Sequence, residues 1–106
     1  MNKYRDKSDF EINKAVVIAL GKVIGIRPDS NIIYLIGGDE LIEFNPCNNP
    51  ADAMPIINEY GISLIYQEGE FQFATNDGNI ECSISNPLKA AMIIFLMMKD
   101  AENEKV

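Results

Sequence analysis

NPLKAAMIIFLMMK, residues 86–99, is the stretch that decides the fold. From Ala90 to Met98 every residue is apolar, and Ala, Leu and Met are good helix formers. Asn86 is placed to cap the helix, because its side-chain oxygen can accept from an orphan backbone N–H of the first turn. Pro87 suits the first helical position, where no N–H is needed. A helix that is apolar all round has to be covered all round. The rest of the chain is therefore read as its covering layers. The expected class is α+β: an antiparallel meander sheet with about three helices, the C-terminal apolar helix packed on the sheet.

Working back from that helix, Ile80, Cys82 and Ile84 alternate with Glu81, Ser83 and Ser85. Such alternation gives a strand one dry face and one wet face. Asn76-Asp77-Gly78-Asn79 is a hairpin signal, since Asp-Gly tolerates positive φ. Phe71 and Phe73 mark a strand before it, residues 67–70 a turn, and residues 62–65 another strand. A helix ends near Tyr60, with Gly61 as its stop. Its start has two readings. Asn49 could cap it with Pro50 first, which leaves Pro55 inside, where it removes a hydrogen bond. The preferred reading makes Asp52 the cap and puts Pro55 in the first turn.

Nearer the N-terminus, three short strands are expected at residues 22–26, 31–36 and 41–44, with turns at residues 27–30 and at Gly37-Gly38. The run at 31–36 is apolar throughout, so both its faces are expected to be buried. Asp39, Glu40 and Glu43 suit the third strand to a sheet edge. A first helix spans residues 9–20, opened by a capping box of Ser8 and Glu11 and ended by Gly21, with Asn13 and Lys14 on its wetter side. The whole is one domain, residues 1–106, with charged mobile tails at 1–7 and 101–106.

Charge and composition remove several functions. Nine Lys and Arg against sixteen Asp and Glu give a net charge of -7. An acidic surface repels the phosphate backbone, so nucleic-acid binding is disfavoured. Histidine is absent, which takes away the commonest general base and metal ligand. Cys47 and Cys82 are isolated and suit no zinc or redox motif. Cys47, in a polar loop, is expected to be the more reachable thiol. The apolar run is far short of the ~20 residues that span a bilayer. These features point to a soluble, intracellular protein without a cofactor.

Individual constellations read as structure. Around Gly78, a calcium loop would need ligands where Phe73 and Ile84 stand. Asp39, Glu40 and Glu43 read as a solvated edge. Gly37-Gly38 lacks a phosphate-loop pattern. Met92, Met97 and Met98 read as core, with any surplus apolar stripe on that helix suited to a homodimer or partner contact. Asn45, Asn48, Asn49 and Asn86 flank prolines and suit turns and caps.

Three stretches taken together carry a resemblance: SDFEINKAV at 8–16, NPCNNPADAMPII at 45–57, and NPLKAAMIIFLMMK at 86–99. The chain resembles the NinX-like family of small phage and prophage proteins, to which no activity is ascribed. Met54 stands where that family favours Trp, and Lys89 where it favours Arg. The resemblance implies a phage-encoded accessory protein acting in the bacterial cytoplasm, and no catalytic chemistry. The candidate interaction surface comprises Asn45, Asn48, Asn49, Asp52, Met54 and Lys89. The leading expectation is a non-enzymatic protein–protein interaction module whose partner is a host or phage protein. Two alternatives stand beside it: an acidic DNA mimic or anti-defence inhibitor, and a small-ligand binder or enzyme using carboxylates.

Overall fold

The computed structural model describes residues 3–22, 24–27, 31–37 and 39–104. Along them run α1 (Asp9–Ala19), β1 (Ile24–Arg27), β2 (Ile32–Gly37), β3 (Glu40–Glu43), α2 (Pro50–Tyr60), β4 (Ile62–Gln67), β5 (Glu70–Asn76), β6 (Ile80–Cys82) and α3 (Pro87–Glu104).

Asn86 opens α3 as its chemistry requires. Its Oδ1 accepts from the N–H of Leu88 at 3.0 Å and of Lys89 at 3.3 Å. Residues 90–96 are then buried on every side. Helices α1 and α2 and all three strands β4, β5 and β6 pack on α3. Tyr60 at the end of α2 meets Phe95 edge-on, with ring centroids 4.9 Å apart, a favoured aromatic geometry. Only Met97 and Met98 are partly exposed on the apolar run, and both pack against the core. Among the described residues no open apolar stripe is left on this helix.

Described residues near both ends of the chain take part in the fold. The helix α3 continues to Glu104 instead of ending near Asp100. Tyr4 is buried, and its hydroxyl donates to Asp100 Oδ2 at 2.5 Å. Lys3 Nζ lies 3.3 Å from the same carboxylate oxygen. The first described turn is thus pinned to the last helix.

The expected single sheet is two sheets, each a three-stranded antiparallel meander: β1-β2-β3 and β4-β5-β6. Helix α2 separates them in the chain. In the second sheet Asp77 and Gly78 have φ of 52° and 77°, and Glu68 and Gly69 have φ of 55° and 81°. Both hairpins thus turn through two positive-φ residues, the twist that antiparallel strands prefer. In the first sheet only one face of β2 is covered. Ile33 is buried and Leu35 half-buried, whereas Ile36 is exposed, so the expectation of two buried faces fails for that strand. The turn expected at 27–30 lies outside the described residues apart from Arg27, as does Gly38 of the Gly37-Gly38 turn.

Helix α1 begins with the expected cap: Ser8 Oγ accepts from Glu11 N–H and donates to Glu11 Oε1, both at 3.2 Å. Gly21 takes the left-handed φ of 71° just after the helix. Helix α2 takes the other of its two readings. Asn49 is the cap, its Oδ1 accepting from Ala51 N–H at 3.0 Å, and Pro50 starts the helix. Pro55 therefore lies inside α2 and cannot donate to the carbonyl of Ala51. Ala51 and Pro55 are both exposed, so water can meet the carbonyl that Pro55 leaves without its helical donor.

Candidate functional site

The three motif stretches meet at one polar node. Helix α1 contributes Asp9 and Asn13, the connector before α2 contributes Asn45, Cys47 and Asn48, and the start of α3 contributes Asn86 and Lys89. Asn13 is buried, not on the wetter side of α1 as expected. Its Nδ2 donates to Asn45 Oδ1 at 2.8 Å, and its Oδ1 accepts from the Cys47 N–H at 3.1 Å. Asn45 Oδ1 also accepts from Asn48 Nδ2 at 3.2 Å. The Asn45 N–H donates to Asp52 Oδ2 at 2.9 Å. Asp52 thus ties down the connector, where it had been expected to cap the helix.

Asp9 has a donor on each oxygen. Lys89 Nζ lies 3.1 Å from Oδ1, and Asn48 Nδ2 donates to Oδ2 at 3.0 Å. The Asn48 hydrogen bond, aided by Lys89, holds the Asp9 carboxyl below the usual range against the opposing effect of burial. Asn86 serves two ends: while Oδ1 caps α3, Nδ2 donates to Cys47 C=O at 2.7 Å and to Asn48 Oδ1 at 3.2 Å.

Among the expected surface residues, Asn45, Asn48, Asp52 and Lys89 come together in this node. Asn49 is spent on capping α2, and Met54 is exposed farther along that helix. The amides of the node face one another, so the arrangement clamps backbone and fixes the connector between α1 and α3. It does not present a row of open amides. Asp9 and Asn13 escaped the sequence reading, because nothing local marks a helical asparagine as the partner of a loop 32 residues away.

Cys47 is wholly buried, which corrects the expectation of a reachable thiol. Burial, with Asp9 nearby, pushes its thiol up to about 12. The thiol at that value stays protonated at neutral pH, the opposite of what a nucleophile needs. Cys82 is also buried, and both cysteines are free.

A cavity of about 540 Å³ opens between the end of α1, β2, α2 and α3, where Asp52 is the residue it shares with the node. Leu20, Leu35, Phe44 and Ile56 give it apolar walls, while Lys22, Lys99, Asp52 and Glu59 supply charge. Asp52 and Glu59 are seven residues apart on one helix, which separates them by roughly 10 Å along its axis. Asp52 is already bound to Asn45. The two carboxylates therefore do not converge as an acid–base pair.

Exposed large apolar side chains gather elsewhere. Ile36, Leu41 and Ile42 are 46%, 55% and 51% exposed, and all three lie in the β2–β3 hairpin. Ile36 pairs across the strands with Leu41, and Leu35 with Ile42. Directly paired residues share a face, so Ile36 and Leu41 lie on one side of the sheet and Ile42 on the other. Asp39, Glu40 and Glu43 surround them. The remaining hairpin acids, Glu68, Glu70, Asp77 and Glu81, belong to the second sheet.

The family model described as Bacteriophage P22, NinX matches residues 3–99. No curated protein and no solved structure matches the chain. Among the described residues no helix is long and apolar enough to cross a membrane.

Proposed function

The chain belongs to the bacteriophage P22 NinX family, and from that premise we propose that it is a small non-enzymatic interaction module, acting on a host or phage protein in the bacterial cytoplasm. One observation carries this reading: Ile36 and Leu41, both about half exposed, pair on one face of the β2–β3 hairpin. Clustered apolar side chains rimmed by charge are the usual make-up of a protein contact, whereas scattered ones need no explanation. In the cavity beside α2 the carboxylates of Asp52 and Glu59 do not converge, so that cavity adds no support to the enzyme reading.

Affinity capture from cells carrying the phage tests the proposal, comparing the natural chain with Ile36→Lys. Ile36 is exposed, so the substitution should leave the fold intact. A protein captured reproducibly by the natural chain and lost with Ile36→Lys is the expected result. Identical captures by the two chains, or none above background, would overturn it.

A further inference from the structure

The β2–β3 hairpin ends in an open strand edge. In the first sheet the order is β1-β2-β3, so among the described residues β3 has a strand partner on one side only. The register fixes which of its backbone groups are free. Phe44 N–H donates to Ile33 C=O at 2.8 Å, which makes Phe44 and Ile33 a hydrogen-bonded pair. Hydrogen-bonded and non-bonded pairs alternate along an antiparallel ladder. Ile42 and Glu40 therefore spend their N–H and C=O on β2, while Leu41 and Glu43 turn theirs outward. All four residues of β3 are exposed.

The side chains say what can dock there. Residues 40–43 read Glu-Leu-Ile-Glu, preceded by Asp39, with no cation among the five. A second copy of β3 would bring six carboxylates into one short ribbon, a like-charge arrangement that opposes pairing. A strand of the opposite pattern, basic-apolar-apolar-basic, sets a cation beside each glutamate and an apolar residue beside Leu41 and Ile42.

We propose that the free edge of β3 accepts an extended segment of a partner protein, by backbone pairing at Leu41 and Glu43, and selects one with two apolar residues flanked by Lys or Arg. This rests on the interaction reading given above and names its chemistry. Backbone bonds supply affinity in such strand addition and alternate side chains supply selection.

The test uses the peptide acetyl-Thr-Lys-Val-Val-Lys-Thr-amide, titrated into the full isotope-labelled chain by NMR. The Leu41 and Glu43 amides should shift and become slower to exchange with solvent, and added salt should weaken binding. Replacing both lysines by glutamate should abolish the effect, as should N-methylation of the valines. Glu43→Pro removes only an outward N–H and leaves the β2 ladder intact, because proline is tolerated on an edge strand in that orientation. It should weaken binding at least tenfold, and Glu43→Gln, which loses charge alone, by only a few-fold. Shifts confined to other residues, no shift at millimolar peptide, or equal binding of the glutamate peptide would overturn the proposal. The captured partner separates the two claims. If it is lost with Ile36→Lys yet kept with Glu43→Pro, strand addition is wrong and the interaction reading survives. If it is kept by both, the interaction reading falls as well.

Discussion

Replacing Asn13 by leucine should be among the most damaging single polar changes in the molecule. Asn13 is 5% exposed, and its amide makes two bonds to residues more than thirty positions away. Leucine has the same number and branching of side-chain heavy atoms and is the bulkier residue, so no space opens for a replacement water. The buried Cys47 N–H would then lack its acceptor, at a cost of about 1–3 kcal/mol. Asn45 Oδ1 would lose one donor but keep Asn48, a smaller loss of about 0.5–1 kcal/mol. The sum, roughly 2–4 kcal/mol, is a large share of the ~5–15 kcal/mol that holds a domain of this kind together. Urea unfolding followed by circular dichroism should show the midpoint falling with the slope unchanged. Asn48→Ala is the control. It breaks bonds of the same node at an exposed position, and should cost no more than about 1 kcal/mol. A midpoint for Asn13→Leu no lower than that of Asn48→Ala would refute the claim that the node is a buried clamp.

Asp9 makes stability depend on pH. Its folded carboxyl is held below the ordinary value of 3.8, so its contribution is fully present above the unfolded value and is lost as pH falls through the folded one. Unfolding curves between pH 6 and pH 2.5 should therefore flatten in Asp9→Asn relative to the natural chain, and parallel curves would contradict the assignment. Cys47 and Cys82 should both resist a thiol reagent at pH 7.5 until denaturant is added, since both are buried; prompt labelling of either in the native protein would refute this. Tyr4→Phe deletes the hydroxyl that joins the first turn to Asp100. It should cost about 1 kcal/mol and speed proteolysis near the N-terminus; an unchanged midpoint and digestion pattern would count against that anchor.

What the sequence made legible is what short-range chemistry controls. Ser8 and Glu11, Asn86 with Pro87, Gly21 and Gly61, and the Asp77-Gly78 turn each act within about four residues, and each stands where its local rule puts it. The apolar run of α3 is legible for a related reason, because only an interior position accommodates it. The start of α2 was misjudged through one assumption. Asn49 and Asp52 are equally good caps by residue type, and the choice turned on the penalty for Pro55 inside a helix. That penalty depends on whether the carbonyl left over is wet, and the exposure of Ala51 and Pro55 is a property of the assembled fold.

The node shows the same limit at longer range. Asn45, Asn48 and Asn86 sit beside prolines and look like turn formers, which they are. Their other hydrogen bonds reach across the fold to Asp9, Asn13 and the Cys47 carbonyl, which no local pattern announces. The division of the strands into two sheets is hidden for a like reason, since ladder bonds leave no mark in composition. This bears directly on where a partner can act. The motif stretches converge on groups that already satisfy one another, which holds α1, the connector and α3 in register. The β2–β3 hairpin lies between two of those stretches and leaves apolar side chains and strand edge open. The interaction proposed above therefore falls on the hairpin and not on the node, whose groups already have partners.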